Sequence, residues 1–344
     1  MRVANAPGPV LMSIGIHTLV TQFPEAIEAA RAHADTTPRP PACRRIARQR
    51  DAAERLAGSA ARKALAVAGL TAADLDLVIA HHLGGQYIMP SVGAAIHAAI
   101  GAPLELPAYG LQSAEATFID ACFLAQGMIE GDPEIGRVLV VTATAMHTGG
   151  WGVDPTSASG ATWGDGAAAA LISRDAAMCE IAAYAHETCG EVYDACVVDF
   201  AGPERPAALD AQSPANAAML HASAGYDGWL RGEGRRALRR TLERALGHAK
   251  LSLAQLDFVI PHQITGEILD AWQRDLEAFG LPPGRWRHSF ERYGNAGAAD
   301  VAATLVDLAA AGELHRGDAV ACLAPAIGGH CAAMILRWQA PVGE

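Results

Sequence analysis

The strongest constraint on this chain is a short segment that occurs twice. Leu70 to His82 (LTAADLDLVIAHH) aligns without a gap to Leu251 to Gln263 (LSLAQLDFVIPHQ), 181 residues later, with Leu, Ala, Leu, Asp, Val, Ile and His at matched positions. Each copy follows a stretch with apolar residues at helical spacing (50–68 and 231–248), then turns β-rich, and is followed by more helix-like sequence. A repeat of about half of a 344-residue chain is no solenoid period; it predicts a duplicated α/β unit. The helix–strand alternation predicts mainly parallel sheets. The junction is expected between Ser173 and Glu180, dividing the chain into halves 1–173 and 174–344.

Composition narrows the classes. Apolar residues are 51% and charged residues 18%, so each half can bury a core. A net charge of −11 argues against non-specific nucleic-acid binding. No uninterrupted apolar run reaches the ~20 residues of a membrane span. An N-terminus with early prolines and Arg2 as its one basic residue makes a poor signal peptide, so a cytoplasmic protein is expected. The seven cysteines have no Cys-x-x-Cys spacing, and they read as reduced core thiols with no metal site.

Along the chain, 9–20 reads as a first strand. The polar stretch 24–50, with arginines at 44, 45, 48 and 50, reads as a solvated loop, an anionic-ligand contact being the sharper alternative. Residues 51–68 form a helix stopped by Gly69. Residues 104–111 read as a strand ending in a turn, and 116–130 as an almost wholly apolar helix. Glu115 stands at that strand-to-helix turn, where free N–H groups and a helix dipole favour an anion or nucleophile. Gly164-Asp165-Gly166 reads as a tight turn into a strand, and the lack of a following helix argues against a dinucleotide site. The Pro- and Ala-rich stretch 186–230 suits an insertion beside an entrance, and 298–311, 319–325 and 331–338 read as helix, strand and strand.

Five motifs in this order carry a family resemblance: Pro107 to Phe118 (PAYGLQSAEATF), Trp163 to Ala167 (WGDGA), Val259 to Gln263 (VIPHQ), Tyr293 to Gly297 (YGNAG) and the run from Arg316 to Trp338. Together they resemble 3-oxoacyl-[acyl-carrier-protein] synthase III and its thiolase-fold relatives, including acyltransferases of secondary metabolism. The resemblance implies a thiolase-like α/β fold of duplicated βαβαβαββ halves in five αβαβα layers. It also implies an acyl-carrier-protein or coenzyme A thioester as substrate, no cofactor, and a dimer through the N-terminal halves, with itself or a paralogue. In that family a cysteine at the turn takes the acyl group, and a histidine and an asparagine hold the second thioester. Motif matching puts His262 and Asn295 in those two roles and Glu115 at the cysteine position. Cys122, seven residues on, reads as core. The family's final glycine-rich turn, whose N–H completes an oxyanion hole, falls at Ile327 and Gly328. Met89 stands where long-chain Claisen-condensing relatives place a glutamate that reaches into the partner's site. The family's Trp and Arg pair for the coenzyme A adenine is not visible in 28–50. Ser113, His82, His330 and Met89 are further pocket candidates. Arg235, Arg236, Arg239 and Arg240, with i, i+4 pairs on one helix face, are carrier-docking candidates, a solvated face being the plain alternative.

A carboxylate cannot hold an acyl group as a thiolate does. Ionised, Glu115 would repel a malonyl carboxylate, but it suits a general base acting on a hydroxyl or amine that attacks a bound thioester. His262 and Asn295 would then steady the thioester oxygen. The expected activity is acyl transfer or cyclisation onto an oxygen or nitrogen (or carbon) acceptor. The alternatives are a decarboxylase or condensing enzyme relying on His262 and Asn295, and a non-catalytic partner of a cysteine-bearing homologue.

Overall fold

The two copies fold alike, down to individual hydrogen bonds, in the computed structural model, which describes residues 13–29, 39–148, 151–153, 160–175, 177–199 and 218–339. Each copy follows a helix, α1 (Ala52–Ala68) or α5 (Glu233–Ala249), that ends on a left-handed residue. That residue is Gly69 (φ 67°) in the first copy and Lys250 (φ 56°) in the second. The Asp74 carboxylate then accepts from the Thr71 N–H at 2.8 Å, as the Gln255 side-chain oxygen accepts from the Ser252 N–H at 2.9 Å. Asp76 accepts from the Arg137 N–H at 2.9 Å and Asp257 from the Ala319 N–H at 3.0 Å, so each aspartate fixes the start of a neighbouring strand.

The first half continues as β1 (Gly15–Gln22), β2 (Ile27–Ala29), β3 (Cys43–Arg45), β4 (Leu77–Gly84), α2 (Val92–Ala99), β5 (Ala108–Gly110), α3 (Thr117–Gly131), β6 (Arg137–Ala145), β7 (Trp151–Gly152) and β8 (Gly166–Ser173). The second contains β9 (Cys179–Thr188), β10 (Cys196–Asp199), β11 (Ala218–Ala222), α4 (Ala224–Arg231), β12 (Phe258–Pro261), α6 (Gly266–Ala278), α7 (Phe290–Tyr293), α8 (Asp300–Ala310), β13 (Ala319–Ala326) and β14 (His330–Trp338). The main sheet runs β12-β13-β14-β9-β1-β8-β6-β4-β5. Apart from the edge strand β5, its order mirrors about the β9–β1 contact. The sheet is mixed. Among its described residues only β4–β5, β4–β6 and β12–β13 are parallel, because each half closes with strands that return without a crossover helix. The mainly parallel expectation therefore fails.

Alternation along the repeated strands sorts the layers. Val78 and Val259 face outward, the first onto α1 and α2, the second onto α5 and α6. Ile79 and Ile260 face inward onto α3 and α8, which lie between the two half-sheets. That is a five-layered αβαβα stack, and it explains why α3 is apolar nearly all round.

Two local expectations change. Residues 9–12 of the expected first strand lie outside the described residues, and the strand itself extends to Gln22. Of the polar stretch 24–50, residues 30–38 lie outside the described residues, and the segment from Arg39 to Arg48 is only partly solvated. Arg39 forks onto Asp270, buried Arg44 reaches the Gly160 carbonyl, and Arg48 pairs with Glu28. Gly164-Asp165-Gly166 leads into β8, which starts at Gly166. Buried Asp165 accepts from the N–H groups of Ala47 (2.7 Å) and Met146 (2.9 Å), tying three segments together.

Candidate active site

Three buried residues from separate loops line one cavity of about 500 Å³: Glu115, His262 and Asn295. Glu115 sits in a single 3₁₀ turn between β5 and α3. Ala114 before it has φ 45°, a left-handed conformation costing a non-glycine residue roughly 1 kcal/mol. Thr117 holds this bend, donating from Oγ1 to the Ala114 carbonyl (2.7 Å) and accepting from the Ser113 N–H (2.9 Å). The Ile327 N–H donates to Glu115 Oε2 at 3.0 Å. The N–H expected as an open oxyanion donor is thus engaged by the carboxylate, and it fixes one oxygen of Glu115.

Asn295 is pinned by its backbone, donating to the Thr162 carbonyl (2.8 Å) and accepting from the Gly164 N–H (2.9 Å). Gly164 is required there, because a Cβ would lie 1.9 Å from the Tyr293 carbonyl oxygen. The Asn295 Oδ1 accepts from the Gly297 N–H at 2.9 Å, which leaves its NH₂ as the donor end of the amide.

His262 follows β12 directly, and its Nδ1 lies 2.8 Å from Asp300 Oδ2, at an angle oblique to a straight hydrogen bond. Asp300 is the residue that sequence reasoning missed. Its Oδ1 accepts from the Ala296 N–H (2.7 Å) and its Oδ2 from the Gln263 N–H (3.0 Å), so one carboxylate clamps both the histidine and asparagine loops. Burial raises its pKa, against the pull of His262 and the two N–H groups. Its signal in sequence was an acidic residue opening a helix that follows the Asn295 motif, which reads as an ordinary N-terminal helix acid.

Of the insertion expected at 186–230, residues 200–217 lie outside the described residues, and Cys196, Tyr226 and Leu230 supply one wall of the cavity. Burial and then the Glu115 charge push the Cys196 thiol up to about 12 and the Tyr226 phenol well above its usual range. Both reach the cavity as neutral groups. Cys122 is fully buried in the central layer, where burial pushes its thiol far up, so it remains core.

Other candidates lie elsewhere. Gly328, with φ 84°, shapes the turn after Ile327 and does not line the cavity. Ser113 is turned to Asp120, His330 also contacts Asp120, and His82 is within 2.8 Å of the Tyr87 carbonyl oxygen. Met89 is 82% exposed on the surface. The four arginines of α5 are matched inside the chain. Arg235 and Arg239 face Asp275, Arg236 faces Glu233, and Arg240 bridges Glu233 and Glu187. Helical spacing showed one basic face; Glu233 lies on α5 itself, whereas Asp275 of α6 and Glu187 of β9 are distant in sequence.

Comparison with known proteins finds matches in both halves. The family described as 3-oxoacyl-[acyl-carrier-protein (ACP)] synthase III matches residues 109–190, and its C-terminal counterpart matches 246–338. The β-ketoacyl-[acyl-carrier-protein] synthase III of Rhodobacter capsulatus is 28% identical over 303 residues, covering 86% of this chain and 87% of the relative. That of Cereibacter sphaeroides is 29% identical over 298 residues, covering 82% and 83%. The crystal structure of the Aquifex aeolicus 3-oxoacyl-[acyl-carrier-protein] synthase III superposes with a TM-score of 0.79 at 23% identity, covering 94% of this chain and 100% of that one, which shows the thiolase-like fold. The chain belongs to the 3-oxoacyl-[acyl-carrier-protein] synthase III family.

Proposed function

We propose that this protein is an acyltransferase that moves an acyl group from a coenzyme A or carrier-protein thioester directly to a hydroxyl or amine, with Glu115 as general base. The observation that carries the reading is a carboxylate held by one oxygen on the Ile327 N–H, in the same cavity as His262 and Asn295. Its other oxygen is the acceptor for the proton of an attacking O–H or N–H. The acceptor's heteroatom bonds to the thioester carbon as that proton passes to Glu115. Charge gathers on the thioester oxygen, where the Asn295 NH₂ and the His262 imidazole are the available donors. Collapse breaks the C–S bond, and the leaving sulfur takes the proton back. No acyl-enzyme forms.

The glutamate-for-cysteine exchange inferred from motif order fits this direct route, since a fixed carboxylate supplies a base and no thiol. For the expected dimer we propose the open edge at β5, where Leu104, Tyr109 and Met89 are exposed.

The test is a panel of acyl-coenzyme A and acyl-carrier thioesters with hydroxyl and amine acceptors, followed by intact-protein mass spectrometry. Acceptor-dependent thiol release without a protein adduct is expected. An acylated protein would overturn direct transfer. Carbon dioxide released from malonyl thioesters without an acceptor would assign decarboxylation instead. Inactivity alone, regained with a cysteine-bearing homologue and unaffected by His262→Ala, would make this chain a structural partner.

A further inference from the structure

Three side chains outside the cavity meet in a way that the acyl-transfer reading does not use. Asp120 projects from α3, His186 from β9 and His330 from the first position of β14. In the β9–β14 ladder His330 pairs with Thr188 and Ala332 with His186. The two imidazoles are therefore diagonal neighbours on one face, with ring centroids 5.9 Å apart and planes 20° from parallel. Asp120 Oδ1 lies 3.2 Å from His186 Nδ1 and 3.3 Å from His330 Nε2. The three ligand atoms all fall within 4.8 Å of one another.

We propose that Asp120, His186 and His330 bind a divalent first-row transition-metal ion, zinc by preference. Ligand atoms held tetrahedrally at zinc–ligand distances stand about 3.3 Å apart, close to both carboxylate–imidazole spacings here. Two imidazoles and one carboxylate form a donor set for zinc, cobalt or nickel, not for calcium or magnesium. The surroundings orient the ligands as metal sites do. Thr188 Oγ1 is 2.9 Å from His330 Nδ1, and Ser113 hydrogen-bonds Asp120. With the Thr188 hydroxyl accepting from Nδ1–H, His330 turns its Nε2 lone pair onto the Asp120 oxygens, a repulsion that a cation between them relieves. In the opposite tautomer the cluster is only a hydrogen-bonded trio. All three ligands stand on a buried helix and two ladder-paired strands, so little ordering is needed to bind. α3 begins just after Glu115 and β14 just after Ile327, so the ion would tie both sides of the Glu115–Ile327 contact.

The test uses the full chain carrying Cys43→Ser and Cys189→Ser, since these two partly exposed thiols compete for zinc. After stripping with chelator, equilibrium dialysis against zinc chloride should load one ion per chain. Cobalt should give the visible absorption of a four- or five-coordinate site. His186→Gln and His330→Gln should each weaken zinc binding by ~100-fold or more and abolish a zinc-dependent rise of ~3 °C or more in the thermal midpoint. Sub-stoichiometric loading, or binding unchanged in both variants, overturns the proposal and leaves the hydrogen-bonded trio. Should the glutamine variants not fold, Thr188→Val serves instead: binding ~10-fold weaker supports the site, and unchanged binding overturns it.

Discussion

His81 and His262 hold the same position in the two copies of one strand motif, and they live in opposite environments. His81 is sealed inside the first half, its Nδ1 at 3.1 Å from the Leu111 carbonyl oxygen, and burial, with neighbouring His82, pushes its pKa to about 3. His262 lines the cavity and leans on the Asp300 carboxylate. What differs is the element that closes over each strand. α3 and α8 are the counterpart central helices, and each begins with a polar residue that folds back on its entry loop. In α3 that residue is Thr117, which serves only the Glu115 bend. In α8 it is Asp300, which also reaches the histidine. Duplication thus supplied two equivalent elbows. One now offers a carboxylate to the cavity, the other an amide, and the loop after β12 adds the His262 imidazole.

The sharpest way to test that division is to remove the first half's contribution. Glu115→Gln keeps the volume and an oxygen for the Ile327 N–H, but no base. Acyl transfer should fall by about 10³-fold, inside the range for a lost general base, with the thermal midpoint unchanged. A steady-state assay with the best thioester of the panel measures it. Activity near that of the parent would return the chemistry to the second half alone.

The second half should answer to Asp300. Asp300→Asn keeps the shape but turns an NH₂ toward one of the N–H groups that the carboxylate accepts. Because Asp300 positions and does not touch substrate, kcat should drop by roughly 10- to 100-fold with KM nearly unchanged. Stability should fall by about 2 kcal/mol from the mismatched buried donor. A drop in KM-dependent terms alone would mean that Asp300 shapes the pocket and not the histidine.

Residue pattern made the duplication legible because matched side chains such as Val78 and Val259 face the same layer in both copies, although the matched His81 and His262 do not share a role. His262 and Asn295 were legible through their motifs. Asp300 was not, because its role is a contact between loops that sequence does not order. The same limit hid contacts of the arginines on α5, two of which face Asp275 of α6 and one Glu187 of β9, and of Arg39 and Arg44, which are anchored by residues more than a hundred positions away. Period and spacing report what lies on one element. They say little about what another element brings to it.

The buried histidine of the first half gives a pH test. Unfolded His81 takes up a proton near pH 6.5, whereas the folded residue resists protonation down to about 3. Between those values the unfolded state binds more protons, so stability declines as pH falls through that window, at up to about 1.4 kcal/mol per pH unit from this residue. His81→Asn retains a donor near the Leu111 carbonyl and removes the titration. Urea unfolding at pH 6.5 and 4.5 should show a shallower loss for the variant, with turnover at pH 7.5 unchanged. An equal loss would mean that His81 is protonated in the folded protein.

The smallest effect is expected at Thr117, and it asks whether the first elbow is held as deliberately as the second. Thr117→Val keeps the β-branched shape and fully buried volume but deletes both hydrogen bonds of the bend, leaving the Ser113 N–H and Ala114 carbonyl unmatched beside a left-handed residue. Stability should fall by about 1 kcal/mol, the low end for such a loss, because the loop can relax toward water. Relaxation would let Ala114 leave φ 45° and swing Glu115 off the Ile327 N–H, so turnover should fall several-fold while thioester KM stays put. If stability falls and turnover does not, the Ile327 contact alone is enough to fix the carboxylate, and the bend is scaffolding for α3.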